Sequence, residues 1–156
     1  MRTTNVNELF VESRVTLEFL IAGGENEELE FKQTLRWDIR ANKINNKLEQ
    51  SIVKTIAAFA NSHVGGILLI GLSDQGEITG LEHDFCTFKE AIKDKFELHL
   101  RNLLNYAFGN NFTISKVKIT FPEVNRTQIC QINVKPCDEP TAIEVLDKFG
   151  RETLCT

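Results

Sequence analysis

The sequence has no paired-cysteine motif, no long apolar run and no phosphate-loop signature. Its 4 cysteines (Cys86, Cys130, Cys137 and Cys155) form no CxxC pair, and no histidine stands at zinc-finger spacing. That argues against zinc. The longest apolar run falls far short of the ~20 residues needed to cross a bilayer, so no membrane partner is expected. The N-terminus lacks a charged start followed by an apolar block, as a secretory signal would have. A reducing cytoplasm with free thiols is the default expectation. No Gly-x-x-x-x-Gly-Lys-Ser/Thr and no dinucleotide fingerprint occur, so ATP hydrolysis is not expected.

What is present describes an ordinary globular chain. It has 156 residues, 42% hydrophobic and 26% charged. That length is enough for one domain with a sizeable core. The net charge of −4 gives no global steering toward nucleic acid. The charge is uneven, however. Lys32, Arg36, Arg40, Lys43 and Lys47 cluster, with only Asp38 opposing them. A local basic patch can hold phosphates on an acidic protein, because screening removes contributions from beyond roughly 10 Å at 0.1 M salt. The alternative is a solvated surface.

The spacing of apolar residues predicts a helix over Val6–Ala22, stopped by Gly23-Gly24. Leu29–Thr34 alternates like a strand. Arg36–Asn46 is polar and asparagine-rich, and reads as an exposed loop or mobile insertion. Lys47–Ser62 carries a wide apolar stripe and predicts a buried helix. Gly65-Gly66 supplies a turn into Ile67–Leu72, a continuous apolar run typical of a strand covered on both faces. Asp74-Gln75-Gly76-Glu77 is a hairpin signal, with a return strand expected from Glu77 to Gly80. Phe88–Phe108 predicts a second long helix. Thr113–Val124 and Gln128–Val134 read as strands joined at Asn125-Arg126, and Pro140–Leu146 as a further short strand. The fold class is therefore α/β, a mixed β-sheet packed with two long helices.

Several segments together resemble one family. They are Gly24-Glu25-Asn26, Leu29-Glu30-Phe31-Lys32, Ala58-Phe59-Ala60-Asn61-Ser62, Gly65-Gly66, and Gly71-Leu72-Ser73-Asp74-Gln75-Gly76-Glu77-Ile78-Thr79-Gly80-Leu81. The sequence resembles the Schlafen-type AlbA domain family, with an N-terminal helix over 1–24 and the domain over 25–156. The resemblance implies a nucleic-acid-binding module of bacterial and archaeal regulators, related to the core of the Schlafen nucleases. It implies DNA or RNA as partner, a homodimer as a candidate assembly, and Mg or Mn as the candidate cofactor. In the nuclease members an acidic triad binds the metal. The motif carries that triad onto Glu25, Glu30 and Asp74, with Lys32 beside them as a phosphate-binding catalytic group. Phosphate contacts would come from Lys32, Arg36, Arg40, Lys43 and Lys47. Carboxylate oxygens, water and a substrate phosphate can complete the octahedron such an ion prefers.

Bland readings stand beside these. Glu25 could cap a helix or strand end, Glu30 could face solvent on an edge strand, and Asp74 could be a type I′ turn residue. Glu27 or Glu28 could take the glutamate role. Asn61 is a helix-ending residue, and His63 an exposed loop histidine. Trp37, the single tryptophan, could stack a base or cover the sheet. Ser73 stands where many relatives carry a second acid, and the Arg36–Asn46 segment is longer than usual. The sequence stops at Glu152–Thr156, about where a further family strand would begin, which suits a fragment of a longer protein or a short stand-alone form. The functional alternatives are thus a binding domain, a metal-dependent ribonuclease acting on structured RNA, and a non-catalytic regulatory or oligomerisation module.

Overall fold

The computed structural model describes residues 17–137, 143–145 and 152–154. Residues 17–22 are helical (α1), and residues 6–16 of the expected first helix lie outside the described residues. The chain continues through β1 (Leu29–Lys32), β2 (Trp37–Asp38), β3 (Lys43–Ile44), α2 (Asn46–Asn61), β4 (Gly66–Ile70), α3 (Glu82–Phe85), α4 (Lys93–Phe108) and α5 (Asn110–Lys116). It ends with β5 (Val117–Thr120), β6 (Glu123–Val124), β7 (Thr127–Gln128), β8 (Cys130–Val134), β9 (Ile143–Val145) and β10 (Glu152–Leu154).

The central sheet has the order β1-β4-β8-β5. β1 and β4 are parallel, while β8 is antiparallel to both β4 and β5, so the sheet is mixed as expected. A parallel pair needs a long crossover, and α2 provides it. Successive residues of β4 point to opposite faces. Leu68 and Ile70 join one apolar cluster with α2 and α4, whereas Leu69 joins a second with Leu17, Phe31, Leu72 and Ile129. Both faces are covered, which is why the β4 sequence is apolar without alternation.

The turn into β4 is held by packing that only glycine allows. Gly65 has φ +75°, and a Cβ there would lie 2.1 Å from the Val134 carbonyl oxygen. A Cβ on Gly66 would lie 2.3 Å from the Phe59 ring.

Several expectations are corrected. The Arg36–Asn46 segment is not a loose loop but the antiparallel β2–β3 hairpin, with Trp37 opposite Ile44 and Asp38 opposite Lys43. Asp38 closes it by accepting the Ala41 N–H (3.0 Å) and the Asn45 side-chain amide (3.0 Å). Asn42 takes a positive φ of 54° at its tip. Glu77–Gly80 forms no return strand, only an isolated bridge between Leu72 and Ile78. Asp74 is not in a type I′ turn, since that turn needs positive φ at both central residues, and here the positive φ falls on Gly76.

The helix expected from Phe88 begins instead at Lys93, because Ile92 is extended. Thr113–Lys116 belong to α5, so the strand expected over Thr113–Val124 is reduced to β5 and the two-residue β6. The Asn125-Arg126 turn is as expected, with φ of 51° and 63° between β6 and β7. Ile143–Val145 forms the strand expected near the C-terminus, paired with Glu152–Leu154. Residues 140–142 and 146 of that expected strand lie outside the described residues. Cys137 is disulfide-bonded rather than free, while Cys86 and Cys130 are free.

Candidate functional site

β1 is an edge strand, and its residues divide by face. Glu30 and Lys32 lie beside Leu68 and Ile70, on the face covered by α2. Glu30 Oε1 meets Lys32 Nζ at 2.8 Å, and Glu30 Oε2 accepts the Thr55 hydroxyl of α2 at 3.0 Å. Both side chains of the ion pair are partly exposed. The outer edge of β1 is closed differently. Leu29 exchanges backbone bonds with Asn26 (2.9 and 3.3 Å), and the Phe31 N–H donates to Glu25 Oε1 at 2.8 Å. Glu25 thereby satisfies a donor that an unprotected edge would offer to another chain.

Asp74 is exposed in the turn after β4. That turn is closed by Gly76 N–H donating to the Ser73 carbonyl (2.9 Å) and Glu77 N–H donating to the Ser73 hydroxyl (3.1 Å). It rests on the Phe31 side of the sheet, where a Cβ on Gly76 would lie 3.5 Å from Ile21 Cγ2 and 3.6 Å from the Phe31 ring. Among the described residues no three His, Cys, Asp or Glu side chains form a group able to hold a metal. Glu25 and Glu30 are engaged by their bonds to Phe31, Lys32 and Thr55, and Asp74 lies in the exposed turn.

The five basic residues separate into distinct roles. Arg36 is committed to structure. Its Nε donates to the Thr87 hydroxyl (2.9 Å), an Nη donates to the Thr87 carbonyl (3.1 Å), and the guanidinium lies 4.2 Å above the Phe88 ring. Lys32 and Arg40 instead line one groove of about 240 Å³, together with Trp37, Leu48 and Ser51. The groove runs between the end of β1, the β2–β3 hairpin and the start of α2. Lys43 and Lys47 are exposed, on β3 and on the first turn of α2. Asp38 is the opposing charge at the groove. The Ala41 N–H, then the Asn45 amide, hold its carboxyl below the ordinary range.

The residue that organises this region was not singled out from the sequence. Asp84, within the short helix α3, is 0% exposed. Its carboxylate accepts the N–H groups of Leu35 (2.6 Å), Arg36 (3.0 Å) and Trp37 (3.2 Å). Burial pushes its carboxyl above the ordinary range, against the lowering effect of those three donors. The nearest sequence signal is a lone acid inside His83-Asp84-Phe85-Cys86, which looks like an ordinary short-helix residue.

A family model described as Schlafen, AlbA_2 matches residues 25–152. The chain belongs to the Schlafen, AlbA_2 family. Membership puts this Schlafen AlbA_2 domain among nucleic-acid-related domains. No curated protein matches the sequence significantly. Among solved structures, it is similar to the DIP2311 protein from Corynebacterium diphtheriae, at 15% identity and a TM-score of 0.49. That match covers 92% of this chain and 27% of the other, so the chain spans about a quarter of that protein's length. No helix among the described residues of the domain is long and apolar enough to cross a membrane.

Proposed function

We propose that this domain binds nucleic acid through the groove between the β2–β3 hairpin and the start of α2. One observation carries the reading: two cations, Lys32 and Arg40, and the chain's single tryptophan, Trp37, line the same groove although they come from different elements. Cations bind the phosphate backbone without regard to sequence. An aromatic face beside them suits a base. Lys43 and Lys47 extend the positive surface outward, and Arg36 supports the hairpin from behind without contacting ligand.

Binding of labelled RNA and DNA oligonucleotides at low salt, followed by anisotropy, tests this. Affinity falling steeply as salt rises supports the reading. Absence of binding at low salt rejects it. A stable dimer with no oligonucleotide affinity would favour a regulatory or oligomerisation module instead. The ribonuclease reading has no group of three metal-ligating side chains behind it among the described residues.

A further inference from the structure

The groove is small. Its volume is about 240 Å³. In a duplex the bases stack on one another, so an aromatic side chain can stack only on an unpaired or splayed base. A single planar ring system can enter. Trp37 and Leu48 give it apolar wall, Lys32 and Arg40 bring positive charge against the single carboxylate of Asp38, and Gln33 and Ser51 add an amide and a hydroxyl. Trp37 is half-buried, and its backbone is fixed from both sides. The Asp84 carboxylate takes its N–H, and the Thr34 hydroxyl donates to its carbonyl at 2.6 Å. A stacking residue on a fixed backbone loses little freedom when a ligand arrives.

From this we infer that the groove receives one unpaired nucleotide, its base against Trp37 and its phosphate on Lys32 and Arg40. The preferred ligand is then single-stranded or looped nucleic acid rather than continuous duplex. The inference rests on the nucleic-acid-binding reading above and narrows it.

Trp37 is the chain's single tryptophan, so tryptophan emission, excited selectively over Tyr106, reports this site alone. The full chain is titrated with a labelled short single strand, and separately with the same sequence as blunt duplex. Ligand anisotropy and tryptophan emission are read together. The expected result is quenching by the single strand, weaker binding and no quenching with duplex, and a loss of about 5- to 150-fold in single-strand affinity for Trp37→Ala. Trp37→Phe, which keeps a ring, recovers much of that affinity and guards against a folding defect in the alanine variant. Equal binding of strand and duplex with unchanged emission overturns the single-nucleotide inference but leaves phosphate binding standing. No anisotropy change with either ligand at low salt overturns both.

Discussion

The carboxylate of Asp84 accepts the backbone N–H of Trp37 at 3.2 Å, across a sequence separation of 47 residues. It also takes the N–H groups of Leu35 and Arg36, so one buried acid on α3 fixes the chain where β1 passes into the hairpin. Asp84→Ala leaves three donors without that acceptor. Each buried unsatisfied donor costs about 1–3 kcal/mol, so a destabilisation of at least ~2 kcal/mol is expected in denaturant unfolding. A change under ~0.5 kcal/mol, the range of ordinary surface substitutions, would show that the hairpin is held by something else.

Asp84 also sets a pH dependence. Burial raises its folded carboxyl above the ordinary aspartate range. A group protonated more readily in the folded chain contributes stability that is complete below its unfolded value and lost as pH rises through the folded one. Wild type therefore loses this contribution between the acid end and neutrality. Asp84→Asn cannot titrate and keeps a flatter profile. The stability of wild type relative to Asp84→Asn, read from unfolding midpoints, should fall as pH rises over that range; a rise contradicts the sign.

Arg36 and Arg40 should behave oppositely although both are arginines of one segment. Arg36→Ala removes the Thr87 bonds and the Phe88 contact, and its expected effect is a loss of stability of about 1–3 kcal/mol. Arg40→Ala removes an exposed groove cation, and its stability should stay within about 0.5 kcal/mol of wild type. Thermal unfolding of the two variants checks this.

Glu30→Gln releases Lys32 from its carboxylate partner. A partly exposed pair of this kind is worth up to ~1 kcal/mol, so oligonucleotide affinity should rise about two- to fivefold in anisotropy titrations. A Mn²⁺-dependent RNA cleavage that the wild type performs and this variant loses would instead return Glu30 to the catalytic role that family resemblance implies.

The two long helices, the doubly covered strand β4 and the glycine turn were legible because each is written in local pattern: a wide apolar stripe, an unbroken apolar run, and Gly65-Gly66. The β2–β3 hairpin was not. Trp37-Asp38 and Lys43-Ile44 are too short to alternate, and the hairpin depends on Asp38, Asn45 and the distant Asp84. The basic cluster was visible, but its division was not. Spacing treats Arg36 and Arg40 alike, and only the tertiary position of Thr87 and Phe88 separates them. Glu25 and Glu30 were flagged as ligands, and the bonds they make are to Phe31 N–H, Lys32 and Thr55. Gly65 is the converse case: Gly65→Ala, at φ +75° and against the Val134 carbonyl, should destabilise by more than ~1 kcal/mol.

Salt titration of oligonucleotide binding by wild type and Arg40→Ala tests the groove most directly. Each phosphate contact contributes about 0.9 to the slope of log affinity against log salt for duplex DNA and about 0.7 for single strands. The variant is expected to bind more weakly across all sequences, with a slope shallower by roughly one contact. Identical slopes and affinities in the two proteins would contradict a ligand seated beside Lys32, Trp37 and Arg40.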